Sequence, residues 1–147
     1  MIKAQTTYNV LDLFCGCGGL SKGVEEAGYN IILGVDFDQS ALKTYKANHK
    51  NAKGICLDLS ENESFDKIDK ELNGQKVDII IGGPPCQGFS LTGPRNFDDK
   101  RNKLYLAMIE TVKRYQPRAF MIEKIKHRTI FFAPMPMYYA VLRDFIA

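Results

Sequence analysis

A chain of 147 residues is long enough for one domain with a single core and too short for two. With 45% hydrophobic and 25% charged residues it has the balance of an ordinary soluble globular protein, and no apolar run nears the roughly 20 residues that span a bilayer. The net charge of +3 is too small to demand a polyanionic partner, and without a basic segment leading into an apolar stretch the N-terminus is not a secretory signal, so a cytoplasmic chain is expected.

Asn9 to Phe14 is a short run of strand formers that ends in a glycine cluster. Leu20 to Ala27 follows with helical spacing, placing Leu20, Val24 and Ala27 on one face, and stops at Gly28. Ile31 to Val35 is a second strand, closed by Asp36. Gln39 to Asn48 reads as a helix with Ala41, Leu42 and Tyr45 on one side. Gly54 to Leu57 is a third strand, followed by Asp58 and Leu59.

Ser64 to Leu72 is expected to be a helix buried through Phe65, Ile68 and Leu72. Val77 to Ile81, mostly β-branched, suits a strand covered on both faces of a parallel sheet. Leu104 to Tyr115 is the next helix, with Leu104, Met108, Ile109 and Val112 inward. Ala119 to Ile122 is a fifth strand, ending at Glu123. Strands and helices alternating over short connections predict an α/β fold with a doubly wound, mostly parallel sheet. Ligands of such sheets sit beyond the carboxyl ends of the strands.

The residues at those ends carry the chemistry. Asp12-Leu-Phe-Cys-Gly-Cys-Gly-Gly19 turns from the first strand into the first helix, where glycines let the backbone approach a ligand. A dinucleotide fingerprint needs glycine where Ser21 stands, which disfavours a pyrophosphate cradle. A purely structural turn is the bland alternative. Asp36, about 20 residues on, is placed to accept both ribose hydroxyls, and Phe37 to stack on an adenine ring. Either Asp36 or Asp38 would otherwise cap the second helix. Asp58 is placed to meet an adenine amino group, or to cap the helix that follows. Taken together, these features favour an adenosine-containing ligand.

Gly82-Gly-Pro-Pro-Cys-Gln-Gly-Phe-Ser90 follows the most apolar strand. Two prolines stiffen the backbone and remove two donors, so the loop presents Cys86 in one place. A thiolate there is a nucleophile, and a structural turn cysteine is the alternative. Cys15 and Cys17 stand at C-x-C spacing with no histidine or cysteine cluster to complete a metal site. Cys56 is expected to be a small buried apolar residue. The basic residues form no decisive face: Arg95, Lys100, Arg101 and Lys103 gather before the fourth helix, and Lys124, Lys126, His127 and Arg128 after the fifth strand.

These motifs together resemble the cytosine-C5 DNA methyltransferases. The glycine loop at 12–19 is similar to that family's first signature, and Gly83-Pro-Pro-Cys-Gln-Gly-Phe-Ser90 to its catalytic one. Asp36-Phe37, Asp58-Leu59 and Asp99-Lys-Arg-Asn-Lys-Leu-Tyr105 continue the match in register, so the resemblance runs from about Val10 to Glu123. It implies S-adenosyl-L-methionine as cofactor. Phe14, Gly16, Gly18 and Gly19 would hold the methionine part, Asp36 the ribose, and Phe37, Asp58 and Leu59 the adenine, with Pro85 and Leu104 completing the site.

The same resemblance implies Cys86 as the nucleophile that adds to C6 of a cytosine flipped out of DNA, with Glu123 engaging the ring. The family usually continues this glutamate with Asn and Val, where this chain has Lys124 and Ile125. Its arginine-rich signature and target-recognition region are not recognisable here. The expected organisation is therefore a cofactor-binding and catalytic part over 1–125 and an apolar tail over 126–147. A complementary methyltransferase subunit is the expected partner, without metal or membrane, at the nucleoid of a bacterium or phage-infected cell. An inactive cofactor-binding relic and a tRNA methyltransferase remain the alternatives.

Overall fold

The computed structural model describes residues 7–85, 100–124 and 129–134, the side chains of 100–103, 124 and 129–134 excepted. The elements run β1 (Asn9–Leu13), α1 (Gly19–Glu26), β2 (Asn30–Asp36), α2 (Gln39–Asn48), β3 (Lys53–Cys56), α3 (Glu63–Leu72), β4 (Ile79–Gly82), α4 (Lys100–Tyr115), β5 (Ala119–Lys124) and β6 (Thr129–Pro134). They form one sheet of order β3-β2-β1-β4-β5-β6. Every neighbouring pair is parallel except β5 with β6. The order reverses between β1 and β4, which is where a doubly wound sheet opens its ligand crevice.

Helices cover both faces because successive strand residues point to opposite sides. On one face Leu11, Leu13, Leu33, Val35, Ile80 and Phe120 meet Phe65 and Ile68 of α3 and Met108 and Val112 of α4. On the other, Val10, Ile31 and Ile81 lie against Leu20 and Val24 of α1. Each such fully buried side chain contributes about 1.5–3 kcal/mol. An extra residue in β2, between its pairings with Val10 and Leu11, keeps Ile31 and Leu33 on their separate faces. Tyr45 of α2 packs closely on β2, and a Cβ at Gly34 would come within 2.4 Å of its ring. Only glycine allows that approach.

Several expectations from the sequence are corrected. The strand expected from Val77 begins at Ile79, because Asp78 serves instead as a tie between strands. Its carboxylate accepts the Asn9 N–H at 3.1 Å, its own N–H donates to the Asn9 carbonyl, and its carbonyl accepts the Arg118 N–H. Ala27, expected on the inner face of α1, is exposed at the helix end. Cys56, expected to be buried, is exposed at the end of the edge strand β3, and its thiol donates to the Phe37 carbonyl at 3.2 Å. The fourth helix starts at Lys100, four residues before the apolar periodicity begins. Strand β6 falls within residues 126–147, whose role the sequence left open. Among the described residues no helix is long and apolar enough to cross a membrane.

Candidate active site

The five parallel strands β1 to β5 end at the same rim, and the loops after β1, β2 and β3 meet there. After β1 the chain turns through Phe14, at φ 59°, then Gly16 at 52° and Gly18 at 91°. A phenylalanine in the left-handed region costs roughly 1–3 kcal/mol and persists only where its surroundings demand it. Here Cys15 N–H donates to the Val35 carbonyl and Gly16 N–H to Asp36 Oδ2, at 3.1 and 2.8 Å. The loop is thereby tied to the end of β2.

Asp36 is 8% exposed, and its two oxygens take separate N–H groups, Gly16 on Oδ2 and Asp38 on Oδ1. Each carboxylate oxygen keeps capacity for a further donor. The cap of α2 falls to Asp38, whose carboxylate accepts Ser40 N–H at 2.7 Å and Ala41 N–H at 3.3 Å. Asp36 is thus left to face the rim. Asp58 accepts the Ser60 N–H at 2.9 Å, closing a turn rather than capping α3. Ser64 Oγ fixes the same turn by donating to the Asp58 carbonyl.

These loops enclose a half-open cleft of about 190 Å³ lined by Phe14, Asp36, Phe37, Leu57, Asp58, Leu59, Ser60 and Leu104. Phe37 is 72% exposed, so its ring presents a free aromatic face at the edge. Aromatic and aliphatic walls with carboxylates at two corners suit a flat heterocycle joined to a diol. The cleft unites Phe14, Asp36, Phe37, Asp58, Leu59 and Leu104, all expected from the sequence. Leu57 and Ser60 were missed, although they flank Asp58-Leu59 in the chain.

Gly16 meets the site through Asp36, while Gly18 and Gly19 form the turn into α1 and do not line the cleft. Pro85 is exposed beyond β4 and also lies outside the lining. Glu123 is exposed near the end of β5. One of its carboxylate oxygens lies 3.5 Å from where a Gly83 Cβ would stand, at the root of the Pro-Pro-Cys loop. Cys86 itself falls outside the described residues, as do Arg95 and residues 125–128.

Beneath the rim lies a buried carboxyl. Asp12 Oδ2 accepts the Ser21 hydroxyl at 2.6 Å, and Oδ1 has no partner among the described residues. Burial, aided by the charges of Asp36 and Glu123 and opposed by the Ser21 hydrogen bond, pushes the carboxyl up to about 7. Burial likewise raises the Cys15 thiol, with Asp12 and Asp36 adding to it, so Cys15 stays a neutral thiol.

The chain is similar to known proteins in sequence and in fold. A family model for C-5 cytosine-specific DNA methylase matches residues 8–127. The chain is 44% identical over 117 residues to Type II methyltransferase M.DdeI of Desulfomicrobium norvegicum, covering 80% of this chain and 28% of that one. It is 40% identical over 127 residues to Type II methyltransferase M.NgoPII of Neisseria gonorrhoeae, covering 84% and 36%. Among solved structures, a prophage-encoded DNA modification methyltransferase of E. coli superposes with a TM-score of 0.67 at 36% identity, over 94% of this chain and 36% of that one. S. pombe Dnmt2 methyltransferase, at 21% identity and a TM-score of 0.61, shares the fold. The chain thus spans about a third of the length of these relatives.

Proposed function

Because the chain belongs to the C-5 cytosine-specific DNA methylase family, we propose that it is the cofactor-binding and nucleophile-bearing half of a cytosine-C5 DNA methyltransferase. The observation that carries this reading is the gathering of Phe14, Asp36, Phe37, Asp58, Leu59 and Leu104 around one cleft at the strand ends. S-adenosyl-L-methionine is its ligand in this reading, and when bound it supplies an electrophilic methyl group. The residues present fit its adenosine end. Asp36 receives the ribose hydroxyls on the lone pairs left by Gly16 and Asp38, and the Phe37 ring stacks on the purine. Asp58 and the Leu57, Leu59 and Leu104 side chains bound the base.

Cys86 attacks C6 of cytosine as the thiolate. A base within a duplex is out of reach, so the target is flipped into the site. Addition at C6 makes C5 electron-rich enough to take the methyl group that a bound cofactor would supply, and departure of the C5 proton and then of the thiolate restores the ring, now carrying that methyl. Glu123, at the adjacent strand end, engages the ring nitrogen and exocyclic amine where charge develops. Residues 1–125 form this unit. In this reading a complementary polypeptide is the partner that brings the surface that reads DNA sequence, and the two act together on nucleoid DNA.

The test is covalent trapping on duplex DNA carrying 5-fluorocytosine, with and without that polypeptide, alongside a tRNA of matching modification. Trapping on DNA is expected only when the two are combined. A Cys86→Ser chain should lose the adduct and keep its affinity for S-adenosylhomocysteine. Trapping on tRNA alone, or an adduct that survives Cys86→Ser, would overturn the proposal.

A further inference from the structure

His49 closes α2, and no step above uses it. Its ring is 2% exposed and lies against Tyr45, with ring centroids 4.5 Å apart. Nε2 stands 3.1 Å from the Gly18 carbonyl oxygen, and Nδ1 stands 2.9 Å from Glu25 Oε2. A carbonyl oxygen and an ionised carboxylate are both acceptors only. A neutral imidazole carries one N–H, so it can satisfy one of them and must aim a lone pair at the other. An imidazolium satisfies both. Its charge would also sit at the C-terminal end of α2, where unpaired carbonyls favour a cation.

Among the described residues the groups around the ring are few. Glu25 faces it from α1, and Tyr45 from its own helix, with the Tyr45 hydroxyl 3.3 Å from Ser21 Oγ. Behind that hydroxyl stand Asp12, which accepts the Ser21 hydroxyl, and the neutral Cys15 thiol packed with Tyr45. On another side the ring touches the glycine loop itself. A Cβ at Gly18 would stand 2.1 Å from Nε2, so the turn is built around the histidine. The Gly18 carbonyl also accepts the Lys22 N–H at 2.9 Å, the bond that starts α1. Two donors therefore hold one carbonyl at the far side of a loop whose near side, at Phe14 and Gly16, meets the cleft and Asp36.

We propose that His49, as an imidazolium paired with Glu25, is a positioning residue that holds the glycine loop in its ligand-binding shape, so that affinity in the cleft depends on the second imidazole proton. This rests on reading the cleft as the site of an adenosine-containing cofactor, and S-adenosylhomocysteine is the probe. In the full chain, 15N spectra of labelled histidine at about pH 6.5 should show both His49 ring nitrogens protonated. Titration calorimetry should show affinity falling about tenfold as pH rises from about 6 to 9.

His49→Phe keeps a ring and removes both donors, and should bind about tenfold more weakly at the low end of that range. Glu25→Gln should flatten the pH profile, because its amide can donate to Nδ1 and a neutral ring then suffices. Asp12 titrates nearby in both proteins, so the difference between the two profiles belongs to the His49–Glu25 pair. A lone protonated nitrogen, or His49→Phe binding as tightly as the unaltered chain, would overturn the proposal. Should His49→Phe fail to fold, a Glu25→Gln profile identical to the unaltered one would do the same. Failure of the unaltered chain to bind the probe at any pH would instead sink the reading of the cleft.

Discussion

Asp12 and Gly18 show how much a single residue decides at this site. The folded chain holds the Asp12 carboxyl up at about 7 against an ordinary 3.8, so between those values the native state binds the extra proton. Native stability from this group is therefore complete below the unfolded value and declines as pH rises through the folded one. Asp12→Asn, still able to accept from Ser21, should escape that decline. Urea denaturation at about pH 5 and pH 8 should show the variant gaining on the unaltered chain at the higher pH by on the order of 2 kcal/mol. Equal pH responses would refute the assignment. At Gly18 the constraint is steric as well as conformational, since φ is 91° and a Cβ would strike the His49 ring. Gly18→Ala should cost roughly 2 kcal/mol and weaken S-adenosylhomocysteine binding, whereas Gly23→Ala, with open space around it, should do neither.

Among the elements, α2 and the α3–α4 pair test different forces. Asp38 caps α2 with two backbone hydrogen bonds. Asp38→Ala should lower stability by about 1 kcal/mol in chemical denaturation. The helices α3 and α4 are joined at their solvent edge by Arg114, which reaches Asp66 and Asp69, and by the Tyr115 hydroxyl on Asp69. The Arg114 hydrogen bond, outweighing the opposing effect of burial and helped by Tyr115, holds the Asp69 carboxyl below the usual carboxylate range. Stability from this pair is present above the ordinary Asp value and lost as pH falls through the depressed one. Arg114→Ala should nevertheless cost less than about 1 kcal/mol and less still in high salt, because the groups are well solvated. The apolar seam of α3 was readable from Phe65, Ile68 and Leu72, since helical spacing alone puts them on one face. The start of β4 was not, because Asp78 is withdrawn from the strand by partners 69 and 40 positions away in sequence, Asn9 and Arg118.

At the scale of the whole molecule, β6 is the outer strand of the sheet among the described residues. It pairs antiparallel with β5 from Ala119↔Pro134 to Lys124↔Thr129. Removing residues 126–147 would bare the backbone of β5 as a new edge. Such a truncation should melt at a lower temperature and aggregate with rising concentration, as thermal unfolding and light scattering would record. An unchanged melting curve would show that β6 adds nothing to the fold.

Where residues sit next to each other in the chain, the sequence by itself determined a great deal. The alternation of strands and helices, the doubly wound class, and the end-of-strand residues Phe14, Asp36, Phe37, Asp58 and Leu59 follow from periodicity and from glycines and aspartates at strand tips. Five motifs in register made the family legible as well. Tertiary structure alone decided which strand tips share a cleft, that Asp38 and not Asp36 caps α2, that Cys56 is exposed on an edge strand, and that part of the tail becomes β6. It alone brought His49 to Gly18 and Glu25, 31 and 24 positions away. The reason is physical: spacing along the chain reports which face a side chain takes, while hydrogen-bond partners and burial depend on which distant segment closes over that face.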